Sequence, residues 1–433
     1  MKKNILLLAA ALLAAFSLRA ADREHTLKVY NWADYIDEDV LAEFPQWYLE
    51  QTGEEVEIIY QLFDINEVML SKIERGHDDY DVVCPSEYII ERMLRNDMLL
   101  PIGRDFGQTP DYITQNLSPY IVECFNKVDG YGRNANDYAV GYMWGTTGLL
   151  YNTKYVSREE LTSWDAVRNP KFAGKLFMKD AFRDVYSPLL IYLKRDSIEA
   201  GLIDMDSLMY DTSDASIAQV EEYLKSFKDN VAGWEADFGK ELMTKEKAWV
   251  NLTWSGDAKW AIDEAARVGV DLDYVVPSEG SIVWFDGWVI PKYARNTKAA
   301  RYFINYMCRS DVAVRNMAAI GYVSAIGTPE IVEAQWDSTL EKGSDLTYFF
   351  GPEYTDVKLD PTQYPDQSVI DRCAMMHDSG DRTELLLAMW SRVKGDNATG
   401  FTFVLIGAVV LAYAVFVLVR KKSSKNKHSR RRR

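Results

Sequence analysis

The run LKVYNWADYIDEDVLAEFPQWYLEQTGEEVEIIYQ, residues 27–61, decides the fold. LKVYNW (27–32) reads as a strand, because β-branched and aromatic side chains pack well on a pleated surface. DEDVLAEFPQWYLEQTG (37–53) reads as a helix opened by Asp37 and closed at Gly53. A side-chain oxygen satisfies the first amides there, and a glycine accepts the left-handed conformation past the last turn. VEIIYQ (56–61) is the next strand. Farther on, Asp64 with Glu67 three residues later forms a capping box for a helix through Arg75. YDVVCPS (80–86) supplies a third strand, and YIIERMLRN (88–96) is helical again. This β-α-β-α-β succession predicts a parallel, doubly wound sheet.

The chain has 433 residues, of which 48% are hydrophobic and 13% aromatic, too many for one ordinary domain and ample for a large core. The middle of the chain repeats the same chemistry with other elements. IAQVEEYLKSFK (217–228) places Ile217, Val220, Leu224 and Phe227 on one helical stripe. KAWVNLTW (247–254) and DYVVPSEGSIVWFDGWVIP (273–291) are rich in strand formers. A second α/β lobe follows, with a separate sheet of its own. No internal repeat precedes the tail.

Residues 1–21 combine Lys2 and Lys3 with an apolar run from Ile5 to Phe16 and small residues at Ala20 and Ala21, the layout of a signal peptide. No cysteine lies near it, so a lipid anchor is not expected. At the other end, 401–419 is an uncharged apolar stretch of 19 residues, long enough for a transmembrane helix. The tail, 420–433, carries nine Lys or Arg and no acid, which predicts a cytoplasmic location for it. Net charge is −16; with the tail at +9 and the leader at +3, residues 22–400 carry −28. A domain so acidic repels nucleic acid and attracts cations. Cys84, Cys124, Cys308 and Cys373 allow three pairings between which the sequence does not choose, although Cys84 reads as a buried strand residue.

His25, His77, His377 and His428 lie apart, and no HExxH, GxSxG, CxxC or P-loop string occurs. Neither an enzyme nor a metal or cofactor site is expected. What the sequence does offer is aromatic residues beside carboxylates where strands end. In an open α/β sheet the ligand crevice lies outside those ends, which places Trp32, Asp34 and Tyr35 after the first strand and Ser86 and Tyr88 after the third at its mouth. Trp284 and Asp286, two apart on one strand, project from the same face. Trp254 ends a strand and Asp257 starts the following helix. Each has a structural alternative: core packing for Trp32, Trp284 and Tyr322, capping or first-turn dipole compensation for Asp184 and Asp257, and N-capping for Ser86. Trp164 and Trp47 are assigned to packing. A desolvated ammonium loses several kcal/mol, which a carboxylate and a ring face offset; a cation over Trp or Tyr contributes roughly 0.5–2 kcal/mol. Rings also pack on methylenes, so an elongated di- or triamine matches.

The strings VYNWADYID (29–37), YDVVCPSEYIIERML (80–94), GYMWGTTGLLYN (141–152), SWDAVRNPKFAGKL (163–176), LTWSGDA (252–258), VWFDGWVIP (283–291) and AIGYVSA (319–325) together resemble the periplasmic spermidine/putrescine-binding proteins of ABC importers. The resemblance runs from about Leu27 to Lys394. It implies a two-lobed periplasmic-binding-protein fold with a hinge, an interlobe cleft, and crossings near Trp144, Phe285 and Glu330. Lobe 1 would be 22–143 and 286–329, and lobe 2 would be 144–285 and 330–396. It carries ligand contact onto Trp32, Asp34, Tyr35, Ser86, Tyr88, Asp184, Trp254, Asp257, Trp284, Asp286 and Tyr322. Asp286 would pair with an amine deep in the cleft, Asp184 or Asp34 with a terminal one, and Trp254 and Trp284 would flank the chain between. The implied partners are a polyamine, the permease subunits and their ATPase; a monomer in the periplasm, tethered to the inner membrane by 401–419, is expected.

Three positions depart from the family pattern. Ala33 stands where relatives have a hydroxyl residue, and Ala181 where spermidine binders carry an acid, with Asp180 just before it. Met376 stands where spermidine binders have Gln, while Asp257 resembles putrescine-type members. Triamine and diamine both stay open. So do two other functions: a membrane-tethered polyamine sensor, and an importer receptor for a quaternary ammonium compound.

Overall fold

The computed structural model describes residues 23–76, 78–236 and 238–395. The leader, the 401–419 stretch and the basic tail lie outside the described residues; among those described, no helix is long and apolar enough to cross a membrane.

The described residues form twelve strands: β1 (Thr26–Trp32), β2 (Glu57–Phe63), β3 (Val82–Val83), β4 (Leu99–Leu100), β5 (Ala139–Asn152), β6 (Leu176–Lys179), β7 (Val231–Glu235), β8 (Val250–Trp254), β9 (Leu272–Val275), β10 (Ser281–Pro291), β11 (Val323–Ser324) and β12 (Cys373–Met375). Their order is β2-β1-β3-β10-β5-β8-β6-β7, with β4 and β12 on β10 and β9 and β11 on β5. As expected, β1 runs parallel to both β2 and β3. The sheet is nonetheless mixed, because β10 is antiparallel to β3 and β5. The strands fall into two sets, β1–β4 with β10–β12 and β6–β9, that meet only in β5. All 14 residues of β5 are buried, and it changes partners midway: Ala139–Thr146 pair with β10, and the stretch from Thr147 to Asn152 pairs with β8 and β9. The pairing is therefore continuous through β5. Trp144 and Phe285 are register partners on β5 and β10.

The helix Glu38–Thr52 has the ends that its sequence dictates. Asp37 accepts from the Asp39 amide at 2.9 Å, and Gly53 sits at φ 72°. The capping box at Asp64 does not form; the helix begins at Asn66, and Glu67 instead pairs with Arg183 in the helix Phe182–Glu199. Trp164 is fully buried with Nε1 on the Gly280 carbonyl at 2.8 Å, and Trp47 packs on Phe44 and Tyr306. All four cysteines are free thiols, three of them buried.

Candidate functional site

β10 brings Trp284 and Asp286 into the middle of the molecule, where both are buried. The Asp286 carboxylate accepts from the Tyr35 hydroxyl at 2.7 Å on one oxygen and from Ser86 Oγ at 2.6 Å on the other. Ser86 occupies the N-cap position of the helix Glu87–Arg95, yet its side chain caps nothing there. Asn66 fixes it by donating to Ser86 Oγ at 2.9 Å and to the Tyr88 hydroxyl at 2.8 Å. The Tyr142 hydroxyl in turn holds the Tyr35 carbonyl at 2.7 Å. Asp286 is thus tied to two neutral donors and to no cation. Burial pushes its pKa up to about 6, against the lowering effect of Ser86 and Tyr35, and the charge of Asp184 adds to the rise.

Asp184 lies in the first turn of the helix Phe182–Glu199, the place where a helix dipole favours an acid. It does more than compensate that dipole. Trp254 Nε1 donates to it at 2.7 Å and Thr147 Oγ1 approaches at 3.4 Å, while burial raises its pKa to about 6. No Lys, Arg or His among the described residues forms an ion pair with Asp184 or Asp286.

The aromatic wall is built from three rings. Tyr322 meets Trp284 at 5.6 Å and Tyr35 at 5.1 Å, both edge to face, an arrangement favoured by the ring quadrupoles. Two glycines permit it. A Cβ on Gly256 would lie 2.3 Å from the Tyr322 ring, and one on Gly145 would lie 2.6 Å from the Trp284 indole, so neither position admits a larger residue without moving a wall. The indole nitrogens of Trp284 and Trp32 have no hydrogen-bond partner.

Asp257 is also buried, in the first turn of the helix Ser255–Arg267, but it is already neutralised. Lys179 Nζ donates to one oxygen at 2.6 Å; the other accepts from the Tyr322 hydroxyl at 3.0 Å and lies 3.6 Å from Lys240 Nζ. Burial would raise its pKa, but Lys179 and Lys240 outweigh that and hold it below the usual carboxylate range. Tyr88 likewise faces an internal cation, since the Arg183 guanidinium lies 4.3 Å from its ring centre. Asp34 stands apart from the buried set: it is exposed in a turn at φ 50°. Trp32 is half-buried against Phe63. Asp180 accepts from Trp390 Nε1 at 2.9 Å and from Lys394 at 2.6 Å, which commits it to the C-terminal helix rather than to the Asp184 cluster.

The structure thus joins Tyr35, Ser86, Tyr88, Asp286, Trp284, Tyr322, Asp257, Trp254 and Asp184 through shared contacts. Sequence reasoning missed Asn66, Thr147, Lys179 and Arg183. Lys179 had one visible signal, a lone charge at the end of the apolar strand LFMK.

A family model described as bacterial extracellular solute-binding protein matches residues 46–339. The spermidine/putrescine-binding periplasmic protein of Salmonella typhimurium is 28% identical over 390 residues, covering 90% of this chain and 97% of its own. The putrescine-binding periplasmic protein of Escherichia coli is 29% identical over 332 residues, covering 74% of this chain and 83% of its own. Among solved structures, the spermidine/putrescine ABC transporter substrate-binding protein of Streptococcus pneumoniae superposes with a TM-score of 0.62 at 27% identity, covering 86% of this chain and 98% of that one.

Proposed function

Because the chain belongs to the family of bacterial extracellular solute-binding proteins, we propose that it is the polyamine receptor of an ABC importer, binding its ligand between two lobes and delivering it to a permease. It performs no catalysis. The observation that carries this reading is the pair Asp184 and Asp286: two buried carboxylates without a cationic partner, beside the rings of Trp254, Trp284, Tyr35 and Tyr322. Asp286 has no cation acting on it and Asp184 only the more distant charges of Lys179 and Arg183, so both acids stay costly until a cation pairs with them directly. An ammonium supplies the charge and the N–H donors together, and the rings take the methylenes. A quaternary ammonium carries no N–H, so it would give neither carboxylate a hydrogen bond of its own.

The lobes run over 22–143 with 286–329, and over 144–285 with 330–396; β5 and β10 cross between them. Residues 1–21 direct export, and 401–419 tether the receptor to the inner membrane with the ligand-binding part in the periplasm. Calorimetry on the purified protein tests the ligand: saturable 1:1 binding is expected with putrescine or spermidine and none with betaine. Absence of binding to both amines, or tighter binding of betaine, would overturn the reading.

A further inference from the structure

The buried acids of the cleft are not equivalent, because one of them holds a cation that the chain itself supplies. Lys179, at the end of β6, is wholly buried. An ammonium has three N–H donors, and all three are engaged: Asp257 at 2.6 Å, the Ala236 carbonyl at 2.6 Å and Glu235 at 3.2 Å. Glu235 is itself fixed by the Gly239 amide at 2.9 Å and Asn251 Nδ2 at 3.2 Å, so the lysine is anchored from behind. In front, its Nζ lies 4.2 Å from the Trp254 ring centre. A carboxylate beside an indole face is the environment that a ligand ammonium seeks, and here a side chain already fills it. The indole nitrogen of the same Trp254 binds Asp184, one of the two acids without an ion pair, so the Lys179 charge reaches Asp184 across that ring.

We propose that Lys179 determines specificity by acting as a built-in ammonium: it occupies the amine position between Asp257 and Trp254, leaves two positions at Asp184 and Asp286, and so selects a diamine over a triamine. This rests on the amine-binding function proposed above. A third ligand ammonium would find Asp257 taken and would meet the like charge of Lys179 in a desolvated site, where such repulsion is strong. A diamine does not need the Asp257 position, and the like charge of Lys179 acts on it only across the Trp254 ring at Asp184.

The test is calorimetric titration of the full-length protein with putrescine and with spermidine at pH 8, repeated on Lys179→Met. The wild type should prefer putrescine by at least about tenfold, and Lys179→Met should move that ratio at least about tenfold toward spermidine, since tenfold corresponds to about 1.4 kcal/mol. The substitution strips Glu235 of its cation and leaves Asp257 with Lys240 alone, so circular dichroism and a thermal melt accompany it. Should it fail to fold, Lys179→Met with Glu235→Gln, which removes the stranded charge of Glu235, is titrated in its place. Spermidine binding as tightly as putrescine in the wild type, or a ratio unmoved in the folded variant, overturns the role of Lys179 and leaves amine binding intact. Failure of the wild type to bind either amine overturns the function itself.

Discussion

Asp286 is the residue on which amine binding should turn. It has two neutral hydrogen-bond donors and no counter-charge, so a bound ammonium becomes its only ion-pair partner. Asp286→Asn keeps the size of the side chain and removes the charge. It should weaken amine binding by about 2–5 kcal/mol, as for breaking a desolvated charge pair, read by calorimetry; unchanged affinity would remove Asp286 from the site. The pH dependence follows from the same environment. Burial raises Asp286 and Asp184 from the ordinary 3.8 to about 6 in the folded protein. Each therefore contributes stability that is present below about pH 4 and lost as the pH rises through 6. A cationic ligand has the opposite preference, since it stabilises the ionised acids. Amine affinity should be full above pH 7 and fall below 6 by roughly tenfold per pH unit for each acid, with protons released on binding near pH 6. A flat affinity from pH 5 to 8 would contradict this. The Trp284 and Asp286 pair was legible in the sequence because period-two alternation along a strand is local. The state of Asp257 was not, because Lys179 approaches it from 78 residues away.

Among the elements, the helices Asn66–Gly76 and Phe182–Glu199 are joined by the ion pair of Glu67 and Arg183, although the first follows β2 and the second follows β6 at the far side of the sheet. Arg183, one residue before Asp184 in the same helix, is buried between the rings of Tyr88 and Phe182 and reaches Thr383 at 3.3 Å. In the two-lobed reading proposed above, Glu67 and Arg183 stand on different lobes, and a bond made only when such lobes close favours the closed state and slows ligand escape. Glu67 is partly exposed, which limits its worth to about 1 kcal/mol. Glu67→Gln should therefore raise the ligand release rate about threefold to tenfold in stopped-flow fluorescence, with the association rate little changed. Equal release rates would mean that the pair is incidental. This clasp also explains a misreading, since the spacing of Asp64 and Glu67 suits a capping box but the carboxylate finds a better partner 116 residues away. The helix Glu38–Thr52, whose caps are its own neighbours, was legible end to end. Strand pairing was less so: apolar runs mark where strands are and say little about direction, which is why the antiparallel course of β10 did not emerge.

At the scale of the whole molecule, the two-lobed fold came from the order of seven strings rather than from any one of them, and the proposed tether rests on composition alone. The described fold ends in the helix Thr383–Gly395, whose Leu386, Met389, Trp390 and Val393 are buried and whose Lys394 pairs with Asp180. Every acid and ring of the cleft precedes that helix, so a cut after Gly400 removes the apolar stretch and basic tail while sparing the binding fold. The five residues 396–400 reach at most about 18 Å when extended, which would hold the receptor close to the membrane plane. Confinement raises the effective concentration of receptor at a permease without adding a contact. The exported, truncated protein should therefore bind amine with unchanged affinity by calorimetry, yet support less uptake of labelled putrescine at native expression. Overexpression of the truncated form should restore uptake by mass action. Full uptake at native expression would show that tethering has no part in transport, and loss of amine affinity would place residues beyond Gly400 within the binding fold itself.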